Sequence, residues 1–438
     1  MLSREELIEV LAPYNFWGRE QDTGITRGDY LKDIRRKLST GNALALVGVR
    51  RAGKTTLARQ YLRFLIEKGL PPEETLYVNL EEPRFYPDLS LELLEEIFSA
   101  FKTYISRGAR PVVVLDEVQN VEGWERWVRK VLDLGEAEVI VTGSSSSLLR
   151  SELATLLTGR VLVTEVYPLS FREFLSFKGL PIELPALLGR RGEVERALRE
   201  YLEFGGFPQV VLTDDEGLKR ELLRELFEGI ILRDVAYRHG FRDARLVKLV
   251  AELALSRFSS LVSASRLRNE VSGIVGRKVS PNLVDSVLDA MEEAYLIHRV
   301  PILSPKVKDV RRYPKKLYAV DTGLANVMIT RFTENIGRLA ENAVARHLVQ
   351  RHGRENVFYY RNGHEVDFVV RENLKISRLV QVSWDVDESW EREVEGLVEA
   401  AKHFGLSEGI LVTGWKSCEE RVKGINVRCL PLWRFLLS

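Results

Sequence analysis

The sequence is poor in cysteine and methionine and has no long apolar run. Only Cys418 and Cys429 are present among 438 residues, too few for a disulfide framework or a cysteine zinc site. We find no uninterrupted apolar span of about 20 residues and no signal-peptide pattern at the first residues. We therefore expect a protein of the reducing cytoplasm that has no membrane partner.

An excess of charge of one sign is also missing. The chain has 64 Lys and Arg residues against 63 Asp and Glu residues, a formal net charge of +1. This balance excludes a uniformly basic coat for nucleic acid, so any such surface must be a local patch. At about 100 to 200 residues per domain, the length predicts several domains.

The first motif that is present is a phosphate-binding loop. Residues 48–55 read GVRRAGKT, which is G-x-x-x-x-G-K-T, after the apolar run ALALV and before an amphipathic helix. This is the context that the motif requires. Lys54 is expected to neutralise the β- and γ-phosphates of ATP, and Thr55 to ligate Mg²⁺. The residues expected to bind the nucleotide are Gly48, Arg50, Arg51, Ala52, Gly53, Lys54, Thr55 and Thr56.

A second motif supplies the acidic groups that such a site needs. The apolar run PVVVLDEVQN ends in Asp116 and Glu117, and a phosphate-loop ATPase uses one carboxylate on Mg²⁺ and a further group to orient the attacking water. We assign Asp116 to the metal and Glu117 to the water. In AEVIVTGSSSS, Thr142 or Ser144 could sense the γ-phosphate, or the serines could cap a helix. Strand candidates alternate with helical stretches, which predicts a parallel sheet.

These motifs resemble those of archaeal and bacterial AAA+ ATPases. The segments GVRRAGKT, LDEVQ, TGSSS, Gly159-Arg160, PLSFREFL and GGFPQVV occur here in the order typical of that family. The resemblance implies an additional-strand ATPase core over residues 1–167 and a helical lid over residues 168–242. It also makes Arg50, Arg51 and Arg160 candidates for contacting the γ-phosphate, with a surface salt bridge as the alternative for each.

Residues 243–318 show three helical patterns followed by two short extended runs. Ser280 and Pro281 are a strong helix start, because they combine an N-cap hydroxyl with proline at the first helical position. The order suits a winged helix-turn-helix, which the family resemblance also implies. Its third helix should enter a major groove. The exposed face of that helix carries Asn282, Asp285, Ser286, Asp289 and Glu292, and its acidic residues disfavour base reading because phosphates would repel them.

The most basic stretch, SPKVKDVRRYPKK, falls where the wing is expected. We interpret it as a wing that grips the DNA backbone without base readout; a solvated loop is the alternative. The residues expected to bind DNA are Lys306, Lys308, Arg311, Arg312, Lys315 and Lys316.

Residues 319–438 predict the order helix, three strands, helix, strand. Glu341 falls on the first helix, and Glu365 and Asp367 share one face of the second strand. The order resembles the PD-(D/E)xK core of restriction-endonuclease-like nucleases, which the family resemblance also implies. Active members carry an acid and a lysine on the third strand, where this chain has Gln381 and Ser383.

Glutamine is a weak ligand for a hard cation, and serine carries no positive charge. Lys375 or Lys402 could substitute for the lysine but not for the lost carboxylate. We therefore expect a degenerate nuclease site made of Glu341, Glu365, Asp367 and Gln381. The domain would be catalytically inactive and would dock DNA, a protein partner or a neighbouring subunit.

Together these patterns predict an α/β protein that couples Mg-ATP hydrolysis to the handling of DNA. The expected substrate is branched or otherwise structured DNA, such as a Holliday junction, in repair or recombination. A homo-oligomer and a DNA-processing protein partner are further expectations. Two alternatives stay open, which are a nucleotide-dependent switch that controls a protein partner and an ATP-regulated nuclease.

Overall fold

The computed structural model describes residues 2–143, 159–328, 335–387 and 390–438. The chain divides into two compact units, Met1–Val166 and Tyr167–Ser438. Each unit is described below by itself. Within the described residues, no helix combines the length and the apolar character needed to cross a membrane.

The first unit is built on a parallel sheet of five strands in the order β2-β3-β4-β1-β5. The strands are β1 (Ala43–Val47), β2 (Thr75–Asn79), β3 (Val112–Asp116), β4 (Glu138–Gly143) and β5 (Val161–Glu165). Its longer helices are α1 (Arg4–Leu11), α2 (Gly28–Leu38), α3 (Lys54–Glu67), α4 (Leu91–Tyr104) and α5 (Trp124–Asp133).

The position of β4 defines the type of this sheet. It pairs in parallel with β1 on one side and with β3 on the other, so it lies between the strand that precedes the phosphate loop and the strand that ends in the acidic pair. Every residue of β1 and β3 is buried, as expected for parallel strands covered on both faces. The predicted additional-strand core is confirmed.

The second unit begins with a group of helices. These are α6 (Phe171–Phe177), α7 (Leu184–Gly189), α8 (Arg191–Phe204), α9 (Pro208–Val211) and α10 (Glu216–Gly229), followed by a π-helical segment (Ile230–Tyr237). The segment GGFP joins α8 to α9 by a very close approach of backbones. A Cβ on Gly206 would lie 2.2 Å from the Leu169 carbonyl oxygen, and one on Gly205 would lie 1.8 Å from Asp321 Oδ1. Both positions therefore require glycine.

The next part of this unit combines four helices with an antiparallel sheet of order β6-β8-β7. Its elements are α11 (Ala244–Leu255), β6 (Ser260–Val262), α12 (Ala264–Val275), α13 (Pro281–Glu293), β7 (Ile297–Val300), α14 (Val307–Arg312) and β8 (Lys315–Ala319). Pro281 occupies the first turn of α13 as predicted, but Ser280 makes no side-chain capping bond. The predicted helix start is therefore confirmed, but the predicted capping by the Ser280 hydroxyl is wrong.

The last part of the second unit holds a sheet of order β13-β14-β12-β11-β10-β9. Its elements are α15 (Thr322–Asn326), α16 (Ile336–His352), β9 (Val357–Asn362), β10 (His364–Glu372), β11 (Lys375–Ser383), α17 (Trp390–Phe404), β12 (Glu408–Thr413), β13 (Cys418–Val422), β14 (Ile425–Pro431) and α18 (Leu432–Phe435). The predicted order of helix, three strands, helix and strand runs from α16 to β12. Apolar residues of β10, β11, β12 and α17 form its core.

The two cysteines lie opposite each other in the hairpin of β13 and β14 and form a disulfide. Two cysteines are too few for a disulfide framework, but they are enough for this single bond. A count cannot reveal strand register, and this register brings the two Cα atoms within 4.7 Å of each other.

Candidate functional sites

The phosphate loop connects β1 to the first turn of α3. Gly48 has a φ of +142°, and a Cβ there would lie 2.1 Å from the Val166 carbonyl oxygen, so only glycine fits. Gly53 immediately precedes α3 in a left-handed conformation, with a φ of 95°. The loop therefore ends at the amino end of a helix, where backbone N–H groups and the helix dipole favour an anion.

The charged side chains of this loop lie in different surroundings. Lys54 is buried, and its ammonium donates to the carbonyl oxygens of Gly48 and Val49 at 2.9 and 3.1 Å. These contacts hold the positive charge inside the loop. Arg50 is half-buried, whereas Arg51 is exposed and has a φ of 62°.

The remaining candidates of this loop flank Lys54 closely. Ala52 is buried, Gly53 and Thr55 are half-buried, and Thr56 is exposed. The loop therefore brings together, in a single turn, the backbone groups and the ammonium that a polyphosphate requires.

Asp116 is the centre of the acidic part of the site. Thr55 Oγ1 donates to its two carboxylate oxygens at 3.1 and 2.9 Å, and Tyr77 Oη donates to Oδ2 at 2.6 Å. Thr142 Oγ1 donates to Oδ1. Burial raises the pKa of Asp116, and the hydroxyl donors Thr142 and Tyr77 oppose that rise by stabilising the carboxylate.

The donor set fits a magnesium ion. Thr55 and Asp116 offer hydroxyl and carboxylate oxygens, the ligands that Mg²⁺ prefers, side by side at the end of the phosphate loop. Tyr77 and Thr142 also donate to the carboxylate, in the way that outer partners orient metal ligands. The sequence did not point to Tyr77. Its only signal is its place in β2, the strand that pairs with β3.

Glu117 leaves the strand in an unusual conformation. Its φ and ψ are 55° and 50°, a left-handed region that is costly for a residue other than glycine and is often found at functional sites. Its N–H donates to Thr142 Oγ1 at 3.1 Å, and its carboxylate accepts a bond from Gln119 Nε2. Thr142, a candidate phosphate sensor, thus bonds both acidic residues. Ser144, the other candidate, lies outside the described residues.

Arg160 lies at the wrong edge of the sheet for the predicted contact. Its carbonyl oxygen accepts from the N–H of Ala43 at 3.0 Å, at the amino end of β1, and its guanidinium pairs with Asp133. Because β1 has five residues, about 16 Å of strand at roughly 3.3 Å per residue separates Arg160 from the loop. The prediction that Arg160 meets the γ-phosphate is therefore wrong for a nucleotide bound by the same chain.

The predicted basic wing divides into an exposed part and a buried end. Lys306, Lys308, Arg311 and Arg312 are exposed on and around α14, and Lys315 is half-buried. Lys316, in contrast, is only 4% exposed. Its assignment to the DNA surface is wrong, because Lys315 and Lys316 are neighbours in β8 and successive side chains of a strand point to opposite faces.

The buried end of β8 meets the predicted carboxylates of the C-terminal part. Lys316 Nζ lies 2.7 Å from Glu365 Oε1, 2.8 Å from Asp367 Oδ1 and 3.3 Å from Glu341 Oε1. Tyr318 Oη donates to Glu341 Oε1 at 2.7 Å. We call these five side chains the carboxylate cluster. The lysine comes from β8, and Lys375 and Lys402, the predicted substitutes, are both exposed.

The charges of this cluster influence one another. Burial, together with Asp367, raises the pKa of Glu341 to about 7, although Lys316 and Tyr318 act to lower it. Burial acts to lower the pKa of Lys316, but the surrounding carboxylates outweigh it and hold the pKa above its usual value. The lysine therefore remains charged.

Gln381 and Ser383 bond other groups of the protein. Gln381 Oε1 accepts from the Asp367 N–H at 3.0 Å, and its Nε2 donates to Glu393 at 2.6 Å. Ser383 Oγ donates to the Asp385 carbonyl oxygen at 3.1 Å. Both side chains thus satisfy neighbouring groups of the protein.

The fold and the nucleotide site define the class of the first unit. Residues 40–175 match a family described as an AAA domain, and the sheet has the additional-strand order. The first unit therefore has the fold of a P-loop domain of the AAA+ type. Residues 195–335 and 336–435 match two families described as domains of unknown function, DUF8612 and DUF4143.

The chain belongs to the family of the uncharacterized protein MJ1544 of Methanocaldococcus jannaschii. The two are 33% identical over 418 residues, which cover 93% of this chain and 91% of that protein. An uncharacterized protein of Haemophilus influenzae is 30% identical over 413 residues, 93% of this chain and 98% of that one. Cdc6p from Pyrobaculum aerophilum is similar with a TM-score of 0.31 and 14% identity, covering 64% of this chain and 90% of that chain.

Proposed function

We propose that this chain hydrolyses Mg-ATP and uses the energy to handle DNA, with branched or otherwise structured DNA as the substrate. The observation that carries the ATPase part is the contact of Thr55 with Asp116 beside the buried Lys54. An Mg²⁺ ion bound there would neutralise charge on the β- and γ-phosphates. Thr55 and Asp116 would hold it, and Lys54 would stabilise the phosphates.

Glu117 is the residue that we assign to the attacking water. It follows the metal ligand directly and has a left-handed backbone conformation just past the end of β3. Gln119 bonds its carboxylate, so Glu117 would have to exchange that partner for the water. Lys54 and the N–H groups of the loop would stabilise charge on the transferred phosphoryl group.

The DNA part of the proposal is supported by the order of elements from α11 to β8. Helix, strand, two helices and two strands follow one another as in a winged helix, and α14 lies between the last two strands, at the position of the wing. The exposed cations on and around α14 are suited to contacts with the phosphate backbone of DNA. They are Lys306, Lys308, Arg311 and Arg312.

The third helix of this group is less acidic than its sequence alone indicates. Arg299 Nη2 lies 2.5 Å from Asp289 Oδ1 and 2.6 Å from Glu292 Oε2, so one cation of β7 offsets two of its acids. Asp285 and Asn282 remain exposed. This pattern favours shape and backbone recognition over base reading.

A binding panel of duplex, forked and four-way junction DNA, with ATPase assays on the same DNAs, tests the proposal. The charge-reversed protein Lys306→Glu/Lys308→Glu/Arg311→Glu/Arg312→Glu should bind each DNA more weakly. Its plot of log affinity against log salt should also be flatter, by about 0.9 for each lost duplex phosphate contact.

A matched control reverses four exposed charges elsewhere, as Lys32→Glu/Lys68→Glu/Arg421→Glu/Lys423→Glu. It has the same net charge and should keep the salt dependence of the unaltered protein. Equal salt slopes in the two quadruple variants would refute the wing assignment. A chain that binds no nucleic acid but captures a protein only with ATP would support the switch alternative.

A further inference from the structure

The positive charge of Lys316 is buried, and three carboxylates surround it. Lysines are almost never fully buried unless they are paired, and this one meets carboxylates from two elements, Glu341 of α16 and both Glu365 and Asp367 of β10. Three carboxylates that converge on one point are the arrangement that binds a hard divalent cation. Here a protein side chain occupies that point.

We infer that the Lys316 ammonium stands in for a divalent cation in the carboxylate cluster, so that β8 plugs a latent metal site. This inference does not depend on ATP hydrolysis or on DNA binding. It assigns to β8 a role in keeping the C-terminal part closed to metal ions.

The carboxylate oxygens are already engaged by protein donors. Asp367 Oδ1 faces Lys316, and its Oδ2 accepts from the Val382 N–H at 2.9 Å. Glu341 Oε1 accepts from both Lys316 and Tyr318. A metal ion would have to displace these donors, because it would use the same lone pairs.

Lys316 and Tyr318 form one unit. They are two residues apart in β8, so they point to the same face of the strand, and both contact Glu341. The strand thus delivers a positive charge and a hydroxyl to the cluster together. Withdrawal of β8 would remove both at once.

Gln381 of β11 cannot complete a metal site in this arrangement. Gln381 uses its amide oxygen on the Asp367 N–H and its amide nitrogen on Glu393. With Lys316 in place, no group of three or more His, Cys, Asp and Glu side chains in the part of the chain that the structure describes is arranged to hold a metal ion.

The electrostatics predict what happens when the lysine is removed. Three carboxylates would then share a largely buried space with no cation, an arrangement that is strongly destabilising until a proton or a metal ion enters. A cluster shaped for a cation should then recruit one from solution. The unaltered chain should not, because its cation is covalently part of β8.

The test uses the full chain in an Asp116→Asn background, which removes the metal ligand of the nucleotide site. Without nucleotide, Mn²⁺ should leave the melting temperature of this protein unchanged. The Lys316→Met protein should melt at a lower temperature, and millimolar Mn²⁺ should raise its melting temperature by about 4 °C or more. Adding Asp367→Asn to Lys316→Met should abolish that response.

A charge-matched variant separates folding from metal binding. Lys316→Met/Glu341→Gln removes one cation and one anion, so it should regain part of the lost stability without Mn²⁺. If Lys316→Met alone does not fold, Mn²⁺ titration followed by electron paramagnetic resonance on the Asp116→Asn protein still decides, because the inference requires no bound ion.

Three results would overturn the inference. The first is a stoichiometric Mn²⁺ site in the Asp116→Asn protein that disappears with Asp367→Asn. The second is a folded Lys316→Met protein that does not respond to Mn²⁺. The third is Mn²⁺-dependent DNA cleavage that is lost with Lys316→Met, which would make Lys316 a catalytic residue instead of a plug.

Discussion

The phenol of Tyr77 donates a hydrogen bond of 2.6 Å to Asp116 Oδ2. Tyr77 is buried, and its pKa is raised because of burial and the neighbouring Asp116, so the phenol stays a donor. It fixes the carboxylate that we assign to Mg²⁺.

Removal of this hydroxyl should weaken the metal site. We expect Tyr77→Phe to raise the Mg²⁺ concentration needed for half-maximal ATP hydrolysis by about 10-fold to 100-fold, with little change in kcat at saturating Mg²⁺. Tyr61→Phe is the control, because it removes the hydroxyl of another buried tyrosine of the first unit. Identical Mg²⁺ curves for both variants would contradict the role of Tyr77.

Substitutions of Glu117 and of Lys54 should affect ATP hydrolysis and ATP binding differently. Glu117→Gln should reduce kcat by at least about 100-fold and leave the Kd for ATP nearly unchanged, since Glu117 is assigned to the water alone. Lys54→Met should weaken ATP binding as well, because the ammonium compensates phosphate charge. Single-turnover hydrolysis and equilibrium binding of a fluorescent ATP analogue measure the two effects, and normal turnover in Glu117→Gln would refute its role.

Gly206 should be intolerant of any side chain. A Cβ there would lie 2.2 Å from the Leu169 carbonyl oxygen, and both backbones are fixed, since Gly206 accepts from the Leu169 N–H at 2.6 Å. We expect Gly206→Ala to lower the free energy of unfolding by at least about 3 kcal/mol, measured by urea denaturation. Gly192→Ala in α8 is the control, because a Cβ there would meet nothing within 4 Å. It should be neutral or slightly stabilising.

Two buried histidines should make the second unit sensitive to acid. Burial lowers the pKa of His298 to about 3, and Arg354 and Arg346 add to the effect. Burial likewise lowers the pKa of His347 to about 3, with Arg351 and Arg346 as nearby charges. Below a pH of about 6.5 these two histidines bind protons in the unfolded chain but stay neutral in the folded chain. The free energy of unfolding therefore falls as the pH falls.

The expected loss is about 2 kcal/mol for each histidine between pH 7 and pH 5. His298→Phe should flatten the dependence of the free energy of unfolding on pH, and His298→Phe/His347→Phe should flatten it about twice as much. Chemical denaturation at several pH values measures the slopes. A double variant with the slope of the unaltered chain would show that neither histidine is responsible.

The nucleotide site could be predicted from sequence because its main parts are local. Gly48 to Thr55 is one continuous segment, and Asp116 ends an apolar strand that any parallel sheet would bring to the same edge. Tyr77 could not be predicted, since its contact depends on which strand pairs with β3. Arg160 was misplaced although the same rule applies to it, because it directly precedes β5 and the start of a parallel strand lies at the edge opposite the phosphate loop.

The carboxylate cluster shows the same limit in the second unit. Strand alternation correctly brought Glu365 and Asp367 to one face and Glu341 near them. Lys316 was missed because it belongs to a basic run that reads as a solvated loop. The pattern KKLYAV could have predicted that Lys316 and Tyr318 lie on the same face of a strand. The two residues alternate with Lys315 and Leu317, and side chains two positions apart in a strand share a face.

The bond from the Gly206 N–H to Asp321 Oδ2, 2.7 Å long, joins positions 115 residues apart in the chain. Asp321 also accepts from the N–H of Gly323 at 2.9 Å and starts α15. A chimaera that exchanges only residues 168–242 with a relative would replace Gly206 and its surroundings but keep Asp321. The two partners of this hydrogen bond would then come from different proteins. The segment around Gly206 and the segment around Asp321 should therefore be exchanged together in any such chimaera.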